Sequence, residues 1–218
     1  MKENKIVLFA NIKGGVGKTT LCSMFGTYCV ENKIGVAVVD ADIQQSLVRQ
    51  RSREKASDNE AQEPWRLFSL DTTSLDGVNN MMENLQEVPG WVLVDCPGNL
   101  NDEAMKIVLE KADMIIVPIS YEDVVIDATG IFIKVLREVS NAPVMFVPNR
   151  INNSEGTKVE KEHRLDTMEI LGQIGLVGPS VKQCVAVKRF STLYGLDSAQ
   201  EKAVKPAFEK IIKKVKQL

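Results

Sequence analysis

Lys13-Gly14-Gly15-Val16-Gly17-Lys18-Thr19-Thr20 places three glycines, two lysines and two hydroxyls in one short stretch. It follows the apolar run Ile6–Ala10 directly and opens a helix-length segment from about Lys18 to Glu31. Glycines let a backbone curl until successive N–H groups point inward, a nest for anions, and a helix N-terminus adds its positive dipole end. In such a cradle Lys18 would reach the terminal phosphates of a nucleotide, and the Thr19 hydroxyl would bind the Mg²⁺ that bridges them. The strict spacing G-x-x-x-x-G-K-[ST] is broken, because Ile12 stands at its first glycine. A dinucleotide G-x-G-x-x-G fits worse, with Thr20 where the third glycine belongs. The bland alternative is a glycine-rich turn without a ligand; the order of strand, loop, Lys-Thr and helix argues against it.

Carboxylates stand at the ends of two further apolar runs, Val36–Asp40 and Trp91–Asp95, with Asp42 two residues beyond the first. An acid at such a strand end can hold magnesium through the ion's waters. Each has a plainer alternative: Asp40 or Asp42 could cap the helix that follows, and Asp95-Cys96-Pro97-Gly98 could be a simple turn.

The elements that must position these groups alternate. Apolar runs at Ile6–Ala10, Val36–Asp40, Leu67–Leu70, Trp91–Asp95, Met114–Pro118 and Val144–Pro148 are separated by segments of helical spacing, such as Ile131, Val135, Leu136 and Val139. Strands that are apolar throughout belong in a sheet covered on both faces, hence parallel with crossover helices. The expected fold is α/β, a doubly wound, mostly parallel sheet with its ligand at the carboxyl ends of the strands. The polar stretches Ser52–Pro64 and Ile151–Arg164 read as surface segments, not linkers, since the alternation resumes after each. At 218 residues, one domain over 1–218 is expected.

Composition excludes several classes. A net charge of −2 offers no whole-chain basic field, and no apolar run approaches the ~20 residues of a spanning helix. Met1–Lys5 leads straight into a strand-like run, without a signal-peptide core. Cys22, Cys29, Cys96 and Cys184 include no C-x-x-C pair, so neither a disulfide framework nor a zinc cluster is indicated, and a cytoplasmic protein with reduced thiols is expected. His163, the sole histidine, lies in a charged stretch without a nucleophile beside it, which suggests a surface position. Trp65 and Trp91 are expected in the core.

Lys13 is not needed to hold phosphates from inside the loop, and it is the residue that gives the motif its character. The segment Lys13–Thr20 resembles the deviant Walker A motif of the ParA/MinD superfamily of ATPases, in which this lysine reaches across a nucleotide-sandwich dimer. Val38-Val39-Asp40-Ala41-Asp42-Ile43-Gln44-Gln45-Ser46 resembles the family's D-x-D-P-Q segment, with Ile43 where proline is usual. Val92-Leu93-Val94-Asp95-Cys96-Pro97-Gly98 is similar to its Walker B strand and switch, and Val147-Pro148-Asn149-Arg150 to its adenine-side strand end. The similarity is closest to short plasmid-partition ParA proteins.

That resemblance implies ATP and Mg²⁺ as cofactors and a homodimer formed on ATP binding. It implies phosphate contacts from Lys13, Gly14, Gly15, Val16, Gly17, Lys18, Thr19 and Thr20, and metal binding by Thr19, Asp40 and Asp95. Lys13 and Lys18 would stabilise charge, and Asp42 would orient the attacking water. The Gly98 amide would sense the γ-phosphate and Asn149 would read the adenine edge; Arg150 would stack on the base or else cover apolar surface. The implied function is segregation or positioning of plasmid or chromosomal cargo on nonspecific DNA, with hydrolysis triggered by a ParB-like partner. Alternatives are an accessory ATPase of conjugative transfer, a MinD-like membrane-positioning ATPase, or a nucleotide-binding scaffold with vestigial hydrolysis, the last hinted at by Ile43. Iron–sulfur relatives use cysteine clusters that this chain lacks.

The last segment is different in charge. From Lys182 to Leu218 nine basic residues face three acidic ones. A helix expected at about 198–217 carries Val204, Phe208, Ile211 and Val215 at helical spacing. It could dock on the sheet, present lysines to a DNA backbone, or lie on a membrane; the first two are compatible, whereas the third needs the same apolar face as the core.

Overall fold

A strand buried on both faces must send its side chains alternately into two cores, and the computed structural model contains two. It describes residues 4–99, 102–152 and 156–218; Met1–Glu3 of the expected N-terminal lead and residues 153–155 of the polar stretch lie outside these. In chain order the elements are β1 (Lys5–Phe9), α1 (Lys18–Glu31), β2 (Val36–Asp40), α2 (Ser46–Ser57), β3 (Arg66–Ser69), α3 (Leu75–Glu87), β4 (Trp91–Asp95) and α4 (Glu103–Glu110). There follow β5 (Met114–Ile119), α5 (Asp123–Val139), β6 (Val144–Pro148), α6 (Lys158–Ile174), β7 (Leu176–Val177), α7 (Val185–Lys188) and α8 (Ser198–Val215). The sheet has seven strands in the order β3-β2-β4-β1-β5-β6-β7, and every pairing is parallel. This is the doubly wound α/β fold expected from the strand–helix alternation.

Ile6 and Leu8 of β1 join Val92 and Val94 of β4 in one core, which α3, α4, α5 and α6 cover through Met82, Val108, Phe132 and Leu171. Val7 and Phe9 point the other way, into a core closed by α1, α2, α7 and α8. Phe25 of α1 centres that second core. Its ring lies 5.8 Å from Phe9, 6.3 Å from Trp91 and 5.1 Å from Phe208 of α8, all between centroids. Val204, Phe208, Ile211 and Val215 are thus all buried, so the face a membrane would need is already in the core, and Lys202, Lys205, Lys210, Lys213 and Lys216 remain outside. No described helix is long and apolar enough to cross a membrane.

Two readings change. The helix expected around Ile131–Val139 exists as α5, but Ile131 is exposed, and the buried face is Val125, Phe132, Ile133 and Leu136. β7 was not foreseen, because two residues carry no period. Ser52–Pro64 lies at the surface as expected, beginning with the solvated end of α2, but the residue before it is anchored. Buried Arg51 sits 4.2 Å above the Trp65 ring and pairs with Glu63 at 2.9 Å. Its Nε donates to the Thr192 hydroxyl, which in turn donates to Glu54 at 2.6 Å, so a guanidinium taken from water keeps its partners. This clasp fastens α2 to the residues that lead into α8. His163 is on the surface, 3.8 Å from Asp123, and Trp65 and Trp91 are buried.

Phe208→Ala would remove a fully buried ring, a loss of about 3–5 kcal/mol. Thermal denaturation should show Tm lower by at least about 6 °C. Lys210→Ala, on the exposed face of the same helix, should leave stability within about 0.5 kcal/mol of the parent.

Candidate nucleotide site

The loop between β1 and α1 curls as its glycines dictate. Gly17 has φ 99°, and a Cβ there would lie 2.2 Å from Nδ2 of Asn149, so both conformation and space demand glycine. No side chain caps α1 and no acid stands in its first turn. Its leading N–H groups and dipole therefore face the loop without an anion supplied by the chain, the arrangement that receives phosphate. Lys18 is buried, and its Nζ donates to the Lys13 carbonyl at 3.2 Å. Burial lowers its pKa, against the opposing pull of Asp95, Cys96 and Asp42. Lys13, at the other end of the loop, is half-buried and enters no ion pair among the described residues.

β2 and β4 are neighbours, and their registered ends Asp40 and Asp95 bring the two acids together. Their surroundings differ. Asp40 accepts from the backbone N–H groups of Leu47 at 2.9 Å, Val48 at 3.2 Å and Asp42 at 3.2 Å. These bonds tie its carboxylate to the start of α2 and to the turn that carries Asp42, a capping role its position also allows. Asp42 is half-buried; its Oδ1 accepts from the Gln44 N–H at 2.9 Å and orders the turn that leaves Ile43 exposed.

Asp95 is fully buried, and among the described residues neither carboxylate oxygen has a hydrogen-bond partner of good geometry. Burial pushes its pKa to about 8, although the neighbouring Thr19 hydroxyl and the Lys18 ammonium pull it down, while Asp40 raises it further. An orphaned carboxylate beside a threonine hydroxyl fits a magnesium ion, which takes one or two protein oxygens and keeps several waters. Among the described residues no three His, Cys, Asp or Glu side chains gather to enclose a metal, so a fully protein-caged ion is not offered. Gly98 lies against the same point; a Cβ there would be 3.6 Å from the Ile12 carbonyl and 4.0 Å from Lys18 Nζ.

On the far side of the loop Asn149 is buried. Its Nδ2 donates to the Val16 carbonyl at 2.8 Å, and its Oδ1 accepts from the Arg150 N–H at 2.9 Å. Arg150 follows in the left-handed region (φ 58°) and is exposed. A recess opens here between Gly17, Thr20, Asn149 and Arg150 on one side and Lys182–Cys184 with Lys188 on the other. Gln183 and Cys184 carried no sequence signal. The chain brings them in by pairing past the end of β6, with Val181 N donating to Pro148 O at 2.7 Å and Gln183 N to Ile151 O at 3.0 Å. Lys182 and Lys188, grouped by sequence with the basic tail, also belong to this wall.

A glycine loop on an uncapped helix, an ammonium within it, and acids from adjacent parallel strands define a phosphate-binding α/β domain of the P-loop NTPase-like class. The chain matches the model of the CobQ/CobB/MinD/ParA nucleotide binding domain over residues 7–191, and it belongs to that family. Among solved structures it is similar to a putative plasmid partition protein from Borrelia burgdorferi B31 bound to AMPPNP, at 18% identity over 97% of this chain and 99% of that one, with a TM-score of 0.77. It is similar to MinD in the Aquifex aeolicus MinC:MinD complex (18%, 96% of each chain, TM-score 0.72). It also resembles cobyrinic acid a,c-diamide synthase from Mycobacterium smegmatis, determined with an ATP analogue and magnesium (18%, 96% and 94%, TM-score 0.70). No curated protein matches the chain in sequence. At such identities the structural likeness bears on the fold alone.

Between the ordinary carboxyl value of 3.8 and about 8 the folded Asp95 holds a proton that the unfolded chain has released. This residue's contribution to stability is therefore full at the acid end, falls as pH rises through that window, and is lost above it. Asp95→Asn should raise the Tm of the nucleotide-free protein by at least about 2–4 °C near pH 8, with a gain that shrinks toward pH ~5. Calorimetry across that range checks it, and the same variant should lose magnesium-dependent nucleotide binding.

Proposed function

We propose that this protein is a Mg²⁺-dependent ATPase that dimerises on ATP and uses the dimer to hold nonspecific DNA while it segregates or positions plasmid or chromosomal cargo. The observation that carries the reading is the division of labour between two lysines of one loop. Lys18 is buried and donates to the Lys13 carbonyl, whereas the half-buried Lys13 side chain enters no ion pair among the described residues. Phosphoryl transfer asks chiefly for positioning and positive charge. Lys18 supplies that charge within one subunit, and Lys13 supplies it to the facing subunit. Gly14, Gly15, Val16, Gly17 and the first turn of α1 present N–H groups to the phosphates.

Thr19 and Asp95 hold the magnesium ion, which when bound screens the phosphate charge, while Asp40 steadies the segment that carries Asp42. Asp42, at the mouth of the site, orients the attacking water. The Gly98 amide, beside Lys18, senses the γ-phosphate. Asn149 and Arg150, at the end of β6 beside the loop, would meet the base, as the resemblance implies. Binding of ATP to the dimer in preference to the monomer shifts association, so hydrolysis acts as a timer, and a ParB-like protein is the trigger. Residues 1–218 serve as one unit, cytoplasmic and nucleoid-associated. Exposed Lys182, Lys188, Arg189 and the outer lysines of α8 supply the DNA contacts. Burial of the apolar stripe of α8 favours DNA over a membrane as their target.

Lys18→Ala should abolish ATP binding. Asp42→Ala should bind ATP, stay dimeric and hydrolyse it about 10²-fold more slowly; normal turnover by this variant would remove Asp42 from the water-positioning role. Retention on nonspecific DNA should require ATP and fall steeply and log-linearly with salt. Lys210→Ala/Lys213→Ala should flatten that slope by about 2, and equal retention with ADP would contradict a patch assembled by the dimer.

A further inference from the structure

Asn11 belongs to no part of the phosphate motif, yet its side chain is completely buried at the point where β1 gives way to the loop. Both hydrogens of its amide are used. Nδ2 donates to the Pro118 carbonyl at 3.0 Å, at the end of β5, and to the Thr129 hydroxyl at 3.0 Å, in the middle of α5. Thr129, itself completely buried, donates its own proton to the Val125 carbonyl at 2.7 Å, which leaves its oxygen free to accept. The direction of every bond in this chain is thereby fixed. What remains of Asn11 is the oxygen, and Oδ1 accepts from the backbone N–H of Lys13 at 3.1 Å.

We infer that Asn11, held by Thr129, is a positioning residue that sets the backbone of Lys13 and so aims that lysine out of its own loop. The inference rests on the reading of Lys13 as the residue offered to a facing subunit. Only an amide of this length meets the demands of the place. Aspartate would offer no donors to Pro118 or Thr129, serine could not reach both, and a buried donor left unpaired is costly. The remaining phosphate contacts come from Gly14 onward and from Lys18, whose geometry is set by the start of α1. Disturbing Asn11 should therefore displace Lys13 more than the cradle. The bond to Thr129 also ties the loop to α5, a helix on the opposite face of the sheet from α1. A change in the seating of α5 thus has a direct mechanical route to the backbone of Lys13.

The full-length protein allows a test that does not depend on activity. In Thr129→Val, which keeps the shape and removes the hydroxyl, the Lys13 amide followed by NMR should exchange with solvent at least tenfold faster. Thr129→Ser should restore protection. The amides of Lys18 and Thr19 should change less than twofold in both variants. ATP turnover of Asn11→Ser should drop to the level of Lys13→Ala, its affinity for an ATP analogue should stay within threefold of the parent, and the double variant should be no slower than Lys13→Ala. Unchanged Lys13 exchange in Thr129→Val, or exchange that rises equally across the whole loop, would overturn the inference. So would turnover losses that multiply in the double variant. If Lys13 exchange responds as expected but Lys13→Ala hydrolyses ATP at the parent rate, the positioning stands and the functional reading of Lys13 falls.

Discussion

A carboxylate that the chain surrounds but does not satisfy governs the carboxyl end of this sheet. Asp95 ends a central strand, is shut away from water, and receives no hydrogen bond of good geometry from the described residues. Placing an acid there is unfavourable for the isolated chain, and burial pushes its pKa up to about 8. Its neighbours make sense only around that cost. Lys18 is brought in against its own desolvation, and Thr19 turns a hydroxyl toward the same carboxylate. The N-terminus of α1 is left without a capping side chain. Three groups are held in electrostatic tension that a divalent cation and a polyphosphate together would relieve. The stability cost of that one residue is carried by the rest of the fold.

The two hydrophobic layers meet that cost. β1, β2, β4, β5 and β6 contribute side chains to both, so the strands that carry the site are packed on both faces. The helices divide by role. α1 and α8 lock together through Phe25, Tyr28 and Phe208, which makes the phosphate-binding helix rigid from its far end. α2 starts at the loop carrying Asp42 and is fastened through Arg51, Thr192 and Glu54 to the segment before α8.

Most of the fold was legible because its strands are buried on both sides. Uniform apolar runs of about five residues cannot be amphipathic helices, and they pointed to a parallel sheet. The helix faces were harder, as Ile131 shows. Its spacing with Val135 and Val139 satisfies a helical period, but in α5, rich in apolar residues almost all round, period alone does not select the stripe that packs. At the site, Lys13, Lys18, Thr19, Asp95 and Gly98 could be placed because loop and strand ends are local in sequence. What stayed hidden was non-local. Gln183 and Cys184 reach the recess by strand-like pairing beyond β6, and Thr129 reaches Asn11 across the sheet, neither with any motif. Asp40 was visible as an acid at the right place, but its engagement with the start of α2 depends on backbone geometry that no spacing reveals.

Both margins of the sheet are blunt. β7 has two residues, and β3, at the opposite margin, has four and begins with an arginine. Short, charged rims give a foreign strand little backbone to pair with, which is how natural sheets avoid growing sideways into fibrils. With so little unpaired backbone at either margin, the sheet offers no template along which further strands could be added.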